Sequence, residues 1–237
     1  MDGKALLGLE VVEDRTDGAR CDEGFLTLRR LVLRNVYGDG SSSAPYPCDV
    51  LERPGSDAVV AVLYERHEGG IRVVLREAPR GPVYLRKHKA FVHPDPREYL
   101  SILEVVAGLV EDGDAPGADG LRARAVIEAR EEAGVEVAPS ACVMLGGETF
   151  ASPGTTDEKL YFCAVETPLA ERGEAAGDGT VMEEWSRVHL VSLGEAIAMC
   201  RDGRIPDMKT EVALLRLADH LGYVPALDAF VEDLPAR

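Results

Sequence analysis

Apolar and polar residues partly alternate along residues 25–36, Phe-Leu-Thr-Leu-Arg-Arg-Leu-Val-Leu-Arg-Asn-Val, and this pattern predicts β structure. A loop follows at Gly38-Asp39-Gly40-Ser41-Ser42-Ser43. Residues 58–64 and 71–76 are near-continuous apolar runs of strand length, and His67-Glu68-Gly69-Gly70 between them predicts a hairpin turn. Further strands are expected at 102–107, 142–148, 160–166 and 187–191. A helix is expected from Leu121 to Ala133, with Asp119 as N-cap and Gly134 as the left-handed residue that closes it. Ser192-Leu193-Gly194-Glu195 has the form of a capping box and predicts a helix that stops at Gly203. A last helix runs from Asp207 to His220, with Val212, Leu214, Leu215, Leu217 and Leu221 as its apolar set. Strands dominate the first half, and helices are interspersed in the second. That order predicts an α/β fold: a mixed sheet flanked by helices, preceded by a small N-terminal β-rich region.

Composition narrows the function classes. The chain has 237 residues and a net charge of −16, so it repels nucleic-acid backbones and is not expected to bind them. No apolar run reaches the roughly 20 residues of a membrane span. Met1-Asp2-Gly3-Lys4 does not begin a secretory signal, and neither a membrane nor an export route is expected. Cys21, Cys48, Cys142, Cys163 and Cys200 are scattered and form no C-x-x-C pair, which points to small apolar fillers in a reducing cytoplasm rather than to zinc ligands. The five histidines likewise show no ligand spacing. An anionic substrate would need divalent cations or a local basic patch to overcome the chain's charge.

The candidate chemistry lies on the helix before Gly134. Glu128, Glu131 and Glu132 are spaced i, i+3 and i+4, so their carboxylates share one face. Like charges at that spacing repel by roughly 0.2–0.5 kcal/mol per pair. In a last helical turn the dipole disfavours each anion by a further ~0.3–1 kcal/mol. A hard divalent cation reverses both effects, because magnesium prefers oxygen ligands. A solvated acidic face, with Arg124 as partner of Glu128, is the other reading of the same triplet. Arg76, Arg80, Arg86, Lys87 and Lys89 form a basic run that either meets an anionic ligand or is solvated. Trp185 either stacks on a base or packs in the core.

The segment from Gly108 through Asp114 to Glu128, Glu131, Glu132 and Gly134 resembles the signature box of the Nudix hydrolases. Two departures stand out: Ile127 occupies the position where the family usually has Arg, and the loop between Asp114 and Ile127 is longer than usual. Outside the box, Glu104 before Val105-Val106-Ala107-Gly108, Ser152-Pro153-Gly154 with Glu158, Ile205-Pro206-Asp207-Met208-Lys209-Thr210, and Leu51-Glu52-Arg53-Pro54-Gly55 are similar to segments of the ADP-ribose and UDP-sugar pyrophosphatase branch. The resemblance spans residues 25–220.

The resemblance implies a Nudix α/β/α sandwich over 57–237 behind an N-terminal β region, 1–56, that serves a homodimer. It implies metal ligation by Glu128 and Glu132, with Glu131 in or beside the same shell, and by the carbonyl of Ala107. Mg2+ is the expected ion and Mn2+ a substitute. Arg76, Arg80, Glu104 and Glu158 are the implied substrate contacts. A loop after the box supplies the base in that branch, and here it places Glu183 or Glu184, with Glu158 in reserve. The expected reaction is hydrolysis of a nucleoside diphosphate sugar, ADP-ribose before UDP-glucose, to a nucleoside monophosphate and a sugar phosphate. A non-hydrolytic ligand sensor, and a hydrolase of dinucleotides or nucleoside triphosphates, are the alternatives.

Overall fold

The computed structural model of the chain describes residues 20–68, 70–177, 179 and 185–233. Strands β1 (Thr27–Leu33) and β2 (Tyr46–Glu52) form an antiparallel pair. Then come β3 (Ala58–His67), β4 (Gly70–Ala78), a single helical turn α1 (Gly81–Tyr84), β5 (Ile102–Glu104) and β6 (Val106–Leu109). The carboxylate helix is α2 (Ala118–Ala133). After it lie β7 (Cys142–Met144), β8 (Thr149–Phe150), β9 (Lys159–Glu166), β10 (Arg187–Ser192), α3 (Leu193–Arg201) and α4 (Met208–Leu221). A short pair, β11 (Tyr223–Val224) and β12 (Ala229–Phe230), is followed by one last turn at Val231–Asp233.

One mixed sheet runs β10-β4-β3-β9-β7, with β5 beside β4, β6 beside β3 and β8 beside β9. Only β3 and β9 pair in parallel. Strand β3 is buried on both faces, which is why its sequence is a continuous apolar run rather than an alternating one. Its side chains divide by parity. Val60, Val62 and Tyr64 join a core with Leu193, Ile197, Leu214 and Leu217 of α3 and α4. Val59, Ala61 and Leu63 join a second core with Ala125, Ala129 and Ala133 of α2. The result is the expected α/β/α sandwich, with small alanines letting α2 approach the sheet closely.

Several boundaries differ from the sequence reading. Helix α2 starts at Ala118, before the expected Asp119 cap, and its N-cap is Gly117 with no side-chain cap. Asp119 instead pairs with Arg122 at 2.9 Å. The strand expected at 102–107 is two strands. The Val105 amide donates to Thr210 Oγ1 at 3.0 Å, and the chain changes partner there from β4 to β3. The stretch 142–148 likewise holds only β7, with β8 following separately. Strand β2 was not anticipated, since Pro47 and Asp49 break its apolar pattern. Ser192 caps α3 as expected, accepting from the Glu195 amide at 3.2 Å, but the Glu195 carboxylate pairs with Arg204 at 2.6 Å rather than completing the box. Asp207 caps α4 through the Thr210 amide at 3.0 Å.

Gly134 ends α2 at φ 68°, ψ 25°. A Cβ there would lie 2.3 Å from the Gly173 carbonyl oxygen. Gly134→Ala is expected to destabilise the fold by at least the ~1–2 kcal/mol that a left-handed conformation costs an L-residue. In urea unfolding, the midpoint should fall while the slope stays unchanged.

Candidate active site

A cavity of about 580 Å³ opens where β3, β6, α2 and the start of α4 converge, and Phe25, Arg53 and Glu158 also line it. Seven of the residues expected from the sequence lie on its wall: Ala107, Glu128, Glu131 and Glu132 of the metal set, and Arg80, Glu104 and Glu158 of the substrate set. Arg76 is absent from the wall and is buried beneath it. Glu183 and Glu184 lie outside the described residues, and so the structure says nothing of their place.

Local sequence explains how α2 presents its acids. Its alanine face packs on the sheet, which turns Glu128, Glu131 and Glu132 toward β6. Gly108 of β6 makes room for this. A Cβ on Gly108 would fall 1.9 Å from the Glu128 carboxyl carbon, so the Glu128 carboxylate packs directly over the bare backbone. Glu132 is 5% exposed, and its Oε2 accepts from the Ala107 amide at 3.1 Å. Its Oε1 takes a 2.6 Å ion pair from Arg76 of β4, itself 4% exposed. Breaking such a buried pair by removing one partner costs about 3–5 kcal/mol, so Arg76 holds Glu132 in place. Glu131 is less enclosed and meets Arg130 at 3.2 Å.

On the opposite wall, Glu104 is buried between two cations. Arg80 Nε donates to one oxygen at 2.6 Å, and Lys209 bonds the other. Lys209 also donates to the N-cap Asp207 at 2.9 Å. Arg53 pairs with Glu158. Thus Arg80, Lys209 and Arg53, with Arg124 of α2, bring positive charge to a cavity whose other charged residues are acidic. Lys209 and Arg53 were not singled out from the sequence. Lys209 did carry a signal: a cation in the first turn of a helix opposes the dipole and needs a reason to be there.

Arg124 stands between α2 and the loop before it. Its Nε and Nη2 hold the two Asp114 oxygens at 3.0 and 2.8 Å. The same guanidinium is 3.0 Å from Glu111 and 3.8 Å from Glu128. Its hydrogen bonds keep the Asp114 carboxyl below the usual carboxylate range. Two observations bear on a metal. The carboxylates of Glu128, Glu131 and Glu132 are hard oxygen donors facing one cavity, which suits a divalent cation of the magnesium type. Among the described residues, however, no three His, Cys, Asp or Glu side chains are drawn together into a ready-made ion cluster. The donor chemistry fits the ion, and within the protein Glu132 pairs with Arg76, Glu128 with Arg124 and Glu131 with Arg130.

With this geometry in place, comparison with known proteins identifies the class. No family model matches the chain. The chain is 34% identical over 181 residues to the GDP-mannose pyrophosphatase of Yersinia pestis, covering 76% of this chain and 78% of that protein. It is 32% identical to the GDP-mannose pyrophosphatase of Yersinia enterocolitica over 73% of this chain and 85% of the relative. The ADP-ribose pyrophosphatase of Haemophilus influenzae is 27% identical over 77% and 75%. The chain belongs to the Nudix hydrolases, as its helix box and sandwich fold led one to expect.

The depressed Asp114 sets a pH test with a definite sign. A carboxyl whose folded pKa lies below its unfolded value contributes stability fully above the unfolded value, about 3.9, and loses it as pH falls through the folded one. Asp114→Asn should therefore cost about 1.5 kcal/mol at neutral pH, the low end for charge-assisted hydrogen bonds. The gap in melting temperature between wild type and variant should stay level down to about pH 5 and narrow below about pH 4.

Proposed function

We propose that this Nudix hydrolase cleaves the pyrophosphate bond of a nucleoside diphosphate sugar, releasing a nucleoside monophosphate and a sugar phosphate. The observation that carries the reading is the single cavity in which Glu128, Glu131 and Glu132 face Arg80, Arg53 and Lys209. Acids able to hold a cation stand opposite cations able to hold phosphate, as a diphosphate ester requires. The names of the relatives, ADP-ribose and GDP-mannose pyrophosphatases, support the substrate class. ADP-ribose remains the first candidate, GDP-mannose joins it on the strength of those relatives, and UDP-glucose follows.

In this reading Glu128, Glu131, Glu132 and the Ala107 carbonyl hold Mg2+, or Mn2+ in its place. Bound there, the ion would polarise the phosphoryl oxygens and neutralise charge that develops on them. Arg76 keeps Glu132 fixed, and Arg80 and Lys209, braced by Glu104, take the diphosphate or the adjoining ribose. Glu158, tied to Arg53, borders the sugar end. Water attacks one phosphorus, the bridging P–O bond breaks, and a carboxylate of the loop at Glu183 or Glu184 accepts the water's proton. The Gly177 amide, six residues before Glu183 in the sequence, donates to the Glu131 carbonyl of the carboxylate helix at 2.8 Å.

A chromatographic assay over ADP-ribose, GDP-mannose and UDP-glucose should show turnover with Mg2+ or Mn2+ and none in EDTA. Either Glu183→Gln or Glu184→Gln should cut kcat about 100-fold or more with little change in KM. Turnover in EDTA, or wild-type kcat in both variants, would sink the mechanism, and tight binding of a nucleotide sugar without turnover would make the protein a sensor.

The N-terminal pair is the proposed homodimer face. Phe25, Val32 and Val36 are 62, 74 and 78% exposed, and Leu26, Leu33, Tyr37 and Tyr46 are further exposed apolar residues of the same region. Light scattering should give twice the chain mass for wild type and the single mass for Val32→Asp/Val36→Asp. A wild-type monomer at micromolar concentration would refute the dimer. The five cysteines are all free thiols, in keeping with a cytoplasmic protein. Among the described residues no helix is long and apolar enough to cross a membrane.

A further inference from the structure

In the cavity wall the Arg124 guanidinium meets three carboxylates, those of Glu111, Asp114 and Glu128. Arg124 lies on α2 one turn before Glu128, with its side chain 9% exposed. It grips Asp114 with two parallel hydrogen bonds, meets Glu111 at 3.0 Å and reaches Glu128 Oε1 at 3.8 Å. Asp114 is itself fixed by the turn it closes, accepting from the Glu111 amide at 2.9 Å while its own amide donates to the Glu111 carbonyl at 3.0 Å. The guanidinium is therefore anchored at its Asp114 end, with Nη1 left facing Glu111 and Glu128. Glu128 is confined on another side by Gly108. Its carboxylate is thus enclosed between bare backbone below and a fixed planar cation beside it. At the neighbouring position Ile127 offers only a hydrocarbon side chain, so no second cation from that position can perform the task.

We propose that Arg124 is the positioning residue of this site, setting the direction of the Glu128 carboxylate through a fork locked on Asp114. The inference rests on the reading of Glu128 as a metal ligand. It deepens that reading by assigning ligand orientation to a residue within α2, tied to the loop between β6 and the helix. Shape and charge then separate as causes. If Arg124 acts by its planar fork, a lysine that keeps the charge but cannot grip Asp114 bidentately must lose the effect. If Arg124 only screens neighbouring acids, a lysine must preserve it, and a neutral residue must leave the acids freer to attract a cation.

The test measures Mn2+ binding to the resting protein, without nucleotide, by paramagnetic resonance, alongside kcat and KM at saturating metal. Arg124→Lys should weaken Mn2+ binding about 10–100-fold, the range typical of lost partners of metal ligands, and lower kcat with KM little changed. Arg124→Gln should do the same. Asp114→Asn loosens the anchor but leaves the guanidinium, and should weaken Mn2+ binding less than either Arg124 variant. Circular dichroism melts run in parallel, and if Arg124→Gln does not fold, Arg124→Lys alone decides the matter. Wild-type Mn2+ affinity in folded Arg124→Lys, or tighter binding in Arg124→Gln, overturns the positioning role and leaves the metal reading intact. A wild-type protein that binds no Mn2+, with Glu128→Gln unchanged from it, overturns the metal reading and the Arg124 role together.

Discussion

The buried pair between Arg76 and Glu132 joins three elements at one point: strand β4 through the arginine, helix α2 through the glutamate, and strand β6 through the Ala107 amide that the same carboxylate accepts. A lone carboxylate at 5% exposure would pay a heavy desolvation penalty. The pairing removes that penalty only when the helix stands at one height and one rotation against the sheet. The position of Glu128 over Gly108 and the outward turn of Glu131 follow from that placement, since all three acids sit on one helical face. The cavity's acidic wall is thus set by a single charge-compensated contact beneath it.

The same demand recurs around the cavity. Glu104 is held by Arg80 and Lys209, Glu158 by Arg53, and Asp114 by Arg124. In a chain with a net charge of −16, a good part of the arginine around this cavity is committed to keeping carboxylates charged and aimed. The acid-rich wall is tolerated because its acids meet cations, Glu132, Glu104 and Glu158 from distant parts of the chain and Glu128 and Glu131 from their own helix. In the proposed reading, ionic compensation and ligand recognition are drawn from the same side chains, and that ties the stability of the fold to the makeup of the site.

Much of this was legible in the sequence where the signal is local. Helix α2, its left-handed end at Gly134, the cap at Ser192 and the strands β3, β4 and β9 follow from periodicity and from residues within one or two turns. The shared face of Glu128, Glu131 and Glu132 followed from helical spacing, and the place of Ala107 beside them from the resemblance to the family's box. What escaped depends on partners distant in sequence. The break at Val105 is made by Thr210, and the burial of Arg76 by Glu132. Strand β2 is recruited by β1 despite a poor pattern of its own. The early start of α2 reflects a glycine cap that competes with an aspartate engaged elsewhere.

The lateness of α4 in the chain has a consequence for biosynthesis. Lys209 and Thr210 supply partners to Glu104 and Val105, more than a hundred residues upstream. During translation those upstream groups emerge from the ribosome long before their partners exist. A nascent chain that ends anywhere short of α4 carries a central sheet whose β5–β6 junction is still unsecured, so the acid-lined cavity is among the last parts of the molecule to be completed.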